Sequence, residues 1–179
     1  MQIYNLKMRK TINFKIINII QKIQMFPQIK LNNKNIVKYN PEFHFKMKFD
    51  GCSKGNPGVS GAGAVIYSED DEIWSGQIFV GEKFTNNHAE YAGLILGLQE
   101  ATKLNIKNIL VEGDSLLVIN QMKGIYNCNS SNLIELFHKA KELETNFEKI
   151  NYQHVDRKFN KRADQLSNIA VMDFILLNK

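Results

Sequence analysis

Hydrophobic and polar residues alternate strictly over residues 43–49. This period of two predicts a β-strand with one apolar face. Asp50 follows on the opposite face, at the predicted end of the strand. Residues 51–58 are rich in glycine, so we expect a turn there that leads into a second strand at about residues 61–67.

A helical pattern covers roughly residues 87–104, where small and apolar residues recur at three- and four-residue spacing. Glu90 shares their face of the helix. A glutamate on a helix is normally solvated, but this face should be buried, and burying an unpaired carboxylate is costly. Glu90 is therefore a candidate functional residue. The stripe consists of Gly93, Leu94, Gly97, Leu98 and Ala101.

Three further elements follow. Residues 108–113 have the length and apolarity of a buried strand, and Asp114 and Ser115 stand at its junction with a helix, where both residue types are ordinary caps. Residues 133–147 form an amphipathic helix whose apolar stripe favours core packing. Asp164 lies early in the last helix, where an acid in the first turn is common.

Four acids, Asp50, Glu90, Asp114 and Asp164, thus follow one another through the order strand, hairpin, helix, strand, helix, strand, helix. The motifs around them are Phe49-Asp50-Gly51 with Gly55-Asn56-Pro57-Gly58, then Thr85-Asn86-Asn87-His88-Ala89-Glu90, then Glu112-Gly113-Asp114-Ser115, and finally His154-Val155 with Asn160-Lys161-Arg162-Ala163-Asp164. In order and spacing these motifs resemble type 1 ribonuclease H, over about residues 42–174. The resemblance implies an α/β, ribonuclease H-like fold with a mixed five-stranded sheet flanked by helices. It also implies an endoribonuclease that hydrolyses the RNA strand of RNA–DNA hybrids.

The resemblance makes Asp50, Glu90, Asp114 and Asp164 the expected catalytic metal ligands. Phosphodiester hydrolysis needs an activated water, neutralised charge and a stabilised leaving oxygen, and a pair of divalent ions supplies all three. Mg²⁺ and Mn²⁺ prefer oxygen ligands, so clustered carboxylates suit them. We expect two Mg²⁺ ions per site, with Mn²⁺ as the alternative. Without metal, mutual repulsion should raise some of the carboxyl pKa values.

Expected substrate contacts also come from the resemblance. Asn56, Asn86 and Asn87 match asparagines that contact the minor groove of the hybrid, where amides meet base edges and 2′-hydroxyls. Thr85, with Lys83 just upstream, matches a pocket for a phosphate of the DNA strand. Helix capping is the alternative role for Asn86 or Asn87, and it is compatible with substrate contact.

The chain departs from many type 1 members in two places. A glutamine common two residues after the third acid is replaced by Leu116, which puts that substrate contact in doubt. Residues 123–132 pass directly into the next helix, so the chain lacks the basic handle with which some members grip substrate.

The loop before Asp164 leaves two candidates for an assisting cation. His154 stands ten residues before Asp164, as does a mobile, proton-shuttling histidine of many members. His154-Val155 equally matches the His-Val that ends the last strand in the family, and the loop after it is then shortened. In that alignment Arg157 is the cation that enters the site. The short loop is typical of archaeal- and plant-like members, which favours Arg157.

The chain has 179 residues, 44% of them hydrophobic, enough for one catalytic domain at residues 42–179 and an extension at residues 1–41. The extension contains eight Lys or Arg residues and no acid. Subtracting eight from the formal net charge of +5 leaves −3 for the domain, so the basic character belongs to the extension.

An acid-free, basic segment with isoleucines at helical spacing is typical of a mitochondrial transit peptide, although it has a single Arg and no Ser. A nucleic-acid-binding arm and an unstructured leader are the alternatives. The chain has no apolar run long enough to span a membrane, and two cysteines are too few for a disulfide framework. We therefore expect an intracellular protein, mitochondrial or otherwise nuclear or cytoplasmic.

Two function classes remain open. The four acids favour a metal-dependent ribonuclease H that acts on an RNA–DNA hybrid. We expect no membrane partner, and a monomer unless the chain is part of a larger assembly. The alternative is a non-catalytic, ribonuclease H-like binding or scaffold subunit of a larger assembly.

Overall fold

The computed structural model describes residues 43–178. The predicted extension, residues 1–41, lies outside the described residues, so its role and the domain boundary at residue 42 stay predictions.

Five β-strands, four α-helices and one short 3₁₀ turn make up the described chain. The strands are β1 (Phe45–Gly55), β2 (Gly58–Ser68), β3 (Asp71–Phe84), β4 (Asn108–Gly113) and β5 (Lys149–His154). The helices are α1 (Asn86–Lys103), α2 (Leu116–Met122), α3 (Ile134–Glu144) and α4 (Lys161–Leu177), and the 3₁₀ turn is Arg157–Phe159.

All five strands form one sheet in the order β3-β2-β1-β4-β5. β1, β2 and β3 are antiparallel neighbours, whereas β4 pairs parallel with β1 and β5 pairs parallel with β4. The predicted α/β class with a mixed five-stranded sheet flanked by helices is confirmed. In the β1–β4 register Phe49 pairs with Gly113, so the next residues, Asp50 and Asp114, emerge side by side.

Helices cover both faces of the sheet. The larger core lies between one face and α1, α2 and α3, and it contains Phe49, Ala64 and Ile66. Val65 points to the other face, where it packs with Ala163 and Leu166 of α4. Since successive strand residues face opposite sides, α1 and α4 sandwich the sheet at β1 and β2.

Glycines let α1 approach β1 very closely. A Cβ on Gly51 would lie 2.1 Å from the backbone of Ala89 and Glu90, and one on Gly93 would lie 2.6 Å from the carbonyl oxygen of Asp50. These distances are far below van der Waals contact, so larger residues would push the helix away. The close approach carries Glu90 to the middle of β1, beside Asp50.

The turn expected at residues 51–58 is wrong in its extent. β1 continues through Gly55 and pairs with β2 as far as Gly58, so only two residues form the hairpin turn. Asp50 therefore lies in the middle of a long strand rather than at its end, and Cys52 is a strand residue. Of the glycines in this stretch, Gly51 admits helix α1 against the sheet, whereas Gly55 and Gly58 flank the two-residue hairpin turn.

The helix predicted at residues 87–104 is confirmed with a shift of one residue, and all five residues of its stripe are buried. The helix predicted at residues 133–147 is shorter, since α3 ends at Glu144. Among residues 43–178, no helix has both the length and the apolarity required to cross a membrane.

Candidate active site

Asp50 lies at the centre of the site and is 4% exposed. Its Oδ2 accepts a hydrogen bond of 2.5 Å from the hydroxyl of Ser167 in α4. The same hydroxyl lies 2.9 Å from the carbonyl oxygen of Asp164. Since a serine hydroxyl carries one proton, it donates to one of these acceptors at a time, and the shorter contact is to the carboxylate.

Glu90 belongs to the first turns of α1 and is 5% exposed. The amide of Asn86, one turn earlier, donates to its Oε1 at 3.4 Å. Its other oxygen, Oε2, is buried and has no hydrogen-bond partner among the described residues. A buried carboxylate oxygen without a donor is costly unless a cation completes its environment.

Asp114 follows the last residue of β4, and its Oδ1 accepts a hydrogen bond of 2.5 Å from the amide of Asn160. The same amide group donates to the carbonyl oxygen of Phe49 at 2.8 Å. The next residue, Ser115, caps α2, as its hydroxyl accepts from the backbone N–H of Val118 at 3.5 Å. The capping expectation is thus met by Ser115, which leaves Asp114 to face the site.

One oxygen from each of Asp50, Glu90 and Asp114 lies within 4.8 Å of the others. An all-oxygen set of carboxylates suits hard divalent ions such as Mg²⁺ or Mn²⁺, and the unpartnered Oε2 of Glu90 is the kind of atom that such an ion satisfies. The three acids therefore fit a divalent-metal centre.

Burial and mutual repulsion shift the carboxyl pKa values in this group. Burial, with the charges of Asp114 and Asp164, raises the pKa of Asp50 to about 7, although the Ser167 hydrogen bond opposes the rise. Burial, followed by the charges of Asp50 and Asp114, raises the pKa of Glu90 well above its ordinary value. The expected electrostatic strain without metal is present in these two residues.

The fourth acid, Asp164, adjoins the group formed by the other three. It lies in the first turn of α4, its side chain is 30% exposed, and Arg157 donates to its Oδ1. The side chain of Arg157 is 73% exposed, and its charge lowers the pKa of both Asp50 and Glu90. Arg157 thus sits at the open side of the acidic cluster.

Both cation candidates are close to the acids. His154 ends β5, as the His-Val alignment predicts, and its Nε2 lies 3.2 Å from the carbonyl oxygen of Asp114. Arg157 opens the 3₁₀ turn, which Lys48 anchors by donating to the carbonyl oxygen of Phe159 at 2.6 Å. The arginine contacts a carboxylate of the site, whereas the histidine contacts a backbone carbonyl.

The predicted substrate residues line the edge beside Glu90. Asn56 is exposed at the tip of the β1–β2 hairpin, and its Oδ1 accepts from the backbone N–H of Asn86 at 3.1 Å. Thr85 is the N-cap of α1, as its hydroxyl accepts from the backbone N–H of His88 at 3.3 Å. The capping role expected of Asn86 or Asn87 therefore belongs to Thr85, and their amides are not the cap.

Lys83, next to last in β3, and Asn87, second in α1, are exposed on either side of Thr85. Leu116 is 49% exposed at the start of α2. The segment between α2 and α3 contains residues 123–133, and no helix protrudes from it. The expectation that the basic handle is missing is confirmed.

Two functional candidates were missed by the sequence analysis. Asn160 and Ser167 are both fully buried and hold Asp114 and Asp50, respectively. Asn160 opens the motif Asn160-Lys161-Arg162-Ala163-Asp164, and Ser167 lies one helical turn after Asp164. A buried-face position on the helix of the fourth acid was the available signal for Ser167.

Comparisons with known proteins agree on one family. A family model described as "Reverse transcriptase-like" matches residues 48–170. The bifunctional protein Rv2228c of Mycobacterium tuberculosis is 41% identical over 68% of this chain and 34% of its own length. Ribonuclease HI of Halobacterium salinarum is 40% identical over 70% of this chain and 63% of its own length. The chain thus spans about a third of the mycobacterial relative and less than two thirds of the archaeal one.

Solved structures give the same result. The N-terminal RNase H domain of Rv2228c has a TM-score of 0.72 at 37% identity, covering 75% of this chain and 98% of that domain's chain. LC11-RNase H1, isolated from compost by a metagenomic approach and solved in complex with RNA/DNA hybrid, has a TM-score of 0.69 at 31% identity. That match covers 73% of this chain and 99% of the LC11 chain.

Proposed function

This chain belongs to the ribonuclease H family, and we propose that it is an endoribonuclease that hydrolyses the RNA strand of RNA–DNA hybrids. The observation that carries the proposal is the convergence of Asp50, Glu90 and Asp114 within 4.8 Å, with a buried, unpartnered oxygen on Glu90. A catalytically silent member would gain nothing from burying these charges together, because their desolvation and repulsion destabilise the fold.

Divalent ions are the proposed cofactors, and two Mg²⁺ ions per site, replaceable by Mn²⁺, suit the ligand chemistry. When bound, the ions activate the attacking water and offset the charge that develops on the phosphate. Asp50, in the middle of β1, and Asp114, directly after the end of the paired strand β4, would supply ligand oxygens. Glu90 contributes from α1, and Asp164 completes the ligand set from α4.

Substrate recognition is proposed for the edge formed by the hairpin tip and the start of α1. The backbone N–H of Asn86 fixes Oδ1 of Asn56, so the amide NH₂ of Asn56 is directed away from that bond and is available to the minor groove. Asn87 is exposed beside it. Lys83 and Thr85 flank the same edge and are suited to a phosphate of the DNA strand.

Arg157 is the proposed assisting cation, with His154 as the alternative. The guanidinium already contacts Asp164 and lies within electrostatic reach of the buried acids. From this position it can interact with the scissile phosphate or the departing product while remaining in contact with solvent.

Cleavage of a labelled RNA–DNA hybrid by the full chain, in Mg²⁺ and separately in Mn²⁺, tests the proposal. Single-stranded RNA, RNA duplex and DNA duplex serve as substrate controls. Asp50→Asn should abolish cleavage of the hybrid, whereas Asp173→Asn, which changes an exposed acid of α4, should retain it.

Failure of the wild-type chain to cleave the hybrid in both metals would overturn the proposal. Tight hybrid binding without cleavage would instead support the alternative of a non-catalytic scaffold subunit. The two outcomes are separated by measuring hybrid binding and product formation in the same samples.

We further propose a monomer that works inside the cell. Light scattering during size-exclusion chromatography tests the monomer. Residues 1–41 fused to a fluorescent reporter test mitochondrial delivery against nuclear or cytoplasmic residence, and a diffuse cytosolic signal would contradict delivery.

A further inference from the structure

Ser167 is a fully buried polar residue in a part of α4 otherwise lined by apolar side chains. Its hydroxyl lies 2.5 Å from Oδ2 of Asp50 and 2.9 Å from the carbonyl oxygen of Asp164. Alanine would fill nearly the same space without a buried polar group. The hydroxyl therefore calls for an explanation beyond packing.

The backbone around Ser167 is fixed by close packing against β2. A Cβ on Gly63 would lie 2.7 Å from the backbone nitrogen of Ser167, and one on Gly61 would lie 2.5 Å from its carbonyl oxygen. The helix therefore rests directly on the strand at this residue. Because neither backbone can shift easily, the hydroxyl has a defined position relative to Asp50.

The hydroxyl has one proton to donate, with two oxygen acceptors within hydrogen-bond distance and the thiol of Cys52 close by. Hydrogen bonds to an ionised carboxylate are shorter and stronger than those to a neutral carbonyl. The contact to Asp50 is shorter than the contact to Asp164 by 0.4 Å, the difference between 2.9 and 2.5 Å. Ser167 is therefore assigned as a donor to Asp50, and only Oδ1 of that carboxylate remains free of it.

We infer that Ser167 is a positioning residue of the metal site: its hydroxyl holds Oδ2 of Asp50 and so fixes the orientation of a carboxylate that lies beside Glu90 and Asp114. The inference rests on the proposed function and deepens it. Residues that hydrogen-bond a metal ligand orient it, and their loss typically weakens metal affinity or activity about 10- to 100-fold. In this chain the buried hydroxyl of α4 fills that role for the carboxylate of β1.

Calorimetric titration of the full chain with Mn²⁺, without nucleic acid, measures the inferred effect directly. Ser167→Ala should bind Mn²⁺ about 10- to 100-fold more weakly than wild type. The Mg²⁺ concentration for half-maximal cleavage should rise by a similar factor, whereas the KM for hybrid at saturating Mg²⁺ should stay unchanged. Ser75→Ala is the matched control, because Ser75 contacts α4 through Arg162, away from the acids.

Two further variants keep the test decisive if Ser167→Ala folds poorly by circular dichroism. Ser167→Thr retains the hydroxyl and should bind Mn²⁺ nearly as wild type does. Ser167→Cys retains the volume but is a weak donor, so it should resemble the alanine variant. Equal Mn²⁺ affinity in the alanine variant and wild type, or in the threonine and cysteine variants, overturns the inference.

Failure of the proposed function gives a different result. If wild type binds Mn²⁺ but cleaves no hybrid, the ribonuclease proposal fails while the calorimetric comparison still tests Ser167. If wild type binds no Mn²⁺, both proposals are overturned.

Discussion

Burial and neighbouring negative charge act together on Asp50. They raise its pKa from 3.8 to about 7 in the folded chain without metal. A carboxyl with a raised folded-state pKa stabilises the fold fully only below its unfolded-state pKa, and this contribution is lost as the pH rises through the folded-state value. The metal-free domain should therefore lose stability between about pH 4 and pH 7, and bound metal should restore it.

Replacing Asp50 by Asn removes the charge but keeps a side-chain oxygen that accepts from Ser167. In EDTA at pH 8 we expect Asp50→Asn to raise the free energy of unfolding by at most about 4 kcal/mol, since each pKa unit corresponds to about 1.4 kcal/mol. At pH 4 the gain should vanish. Urea unfolding at both pH values checks this, and equal stability of variant and wild type at pH 8 would contradict it.

The same variant should lose activity although it gains stability. Removal of a residue that acts as part of a catalytic unit commonly costs on the order of 10³-fold or more in turnover. Opposite effects on stability and turnover are typical of a residue retained for catalysis and not for folding.

Arg157 and His154 can be separated by single substitutions. Because Arg157 contacts Asp164 and acts electrostatically on the buried acids, Arg157→Ala should lower kcat about tenfold or more, a loss of about 1.4 kcal/mol of transition-state stabilisation. His154→Ala should have a smaller effect, as its ring contacts a backbone carbonyl. Single-turnover cleavage at saturating Mg²⁺ measures the chemical step. Full activity of Arg157→Ala would reverse the assignment.

At the scale of elements, Asn160 joins three parts of the fold. It precedes α4, and its amide donates to β1 at Phe49 and to Asp114 at the end of β4. A buried amide with two defined acceptors is costly to lose, because both acceptors stay in a site with few other donors. The arrangement couples the stability of the helix–sheet contact to the geometry of an acidic ligand.

Asn160→Ala should therefore lower the free energy of unfolding by about 1–3 kcal/mol and reduce turnover. Asn168→Ala is the matched control: its amide donates within α4 to the carbonyl oxygen of Asp164, and its oxygen accepts from exposed Lys54. Urea unfolding should show a clearly smaller loss for the control. A loss in Asn168→Ala as large as that in Asn160→Ala would argue against the special role of the buried amide.

Elements with a strong periodic pattern were predicted well. The stripe of α1 fixes both its period and its buried face, so its bounds were predicted within one residue. The glycine-rich stretch after Asp50 predicts a turn, because glycine is common in turns. In the folded chain Gly51 and Gly61 instead admit α1 and α4 against the sheet, a demand that arises only from tertiary packing.

The residues of the candidate site also differ in whether the sequence predicts them. The four acids could be predicted because each stands in a recognisable motif with an ordered spacing. Asn160 and Ser167 could not. Asn160 donates to Phe49 and Asp114, 111 and 46 residues away, and Ser167 donates to Asp50, 117 residues away, so only the packing of α4 on the sheet brings them together. Residues that orient the metal ligands therefore depend on tertiary packing more than the four acids themselves do.

At the scale of the molecule, the sheet explains why distant acids converge. β1 and β4 are parallel neighbours, so the residues after Phe49 and Gly113 lie side by side, and the sandwiching helices supply Glu90 and Asp164 from opposite faces. The domain that carries these acids has a formal charge of −3, whereas residues 1–41 carry +8. For the proposed polyanionic hybrid, we therefore expect long-range attraction to come mainly from the extension and from bound metal.

Deleting residues 1–41 should weaken the binding of hybrid without changing the rate of its cleavage. Lys and Arg residues that neutralise phosphates release counterions, so affinity falls with salt in proportion to the phosphates neutralised. We expect the truncated chain to bind hybrid more weakly at low salt and with a shallower dependence of log K on log salt. Its kcat at saturating hybrid should be unchanged, because the acids lie in the retained domain.

Fluorescence anisotropy over about 50–200 mM salt, in the presence of Ca²⁺ to suppress cleavage, measures the slope of log K against log salt for the full-length and the truncated chain. A chain in which Lys7, Arg9 and Lys10 are replaced by Gln is the matched control for length, and its slope should fall between the two. Identical slopes for full-length and truncated chains would mean that the extension makes no phosphate contacts. A transit peptide and an unstructured leader, the competing interpretations of the same residues, would then remain.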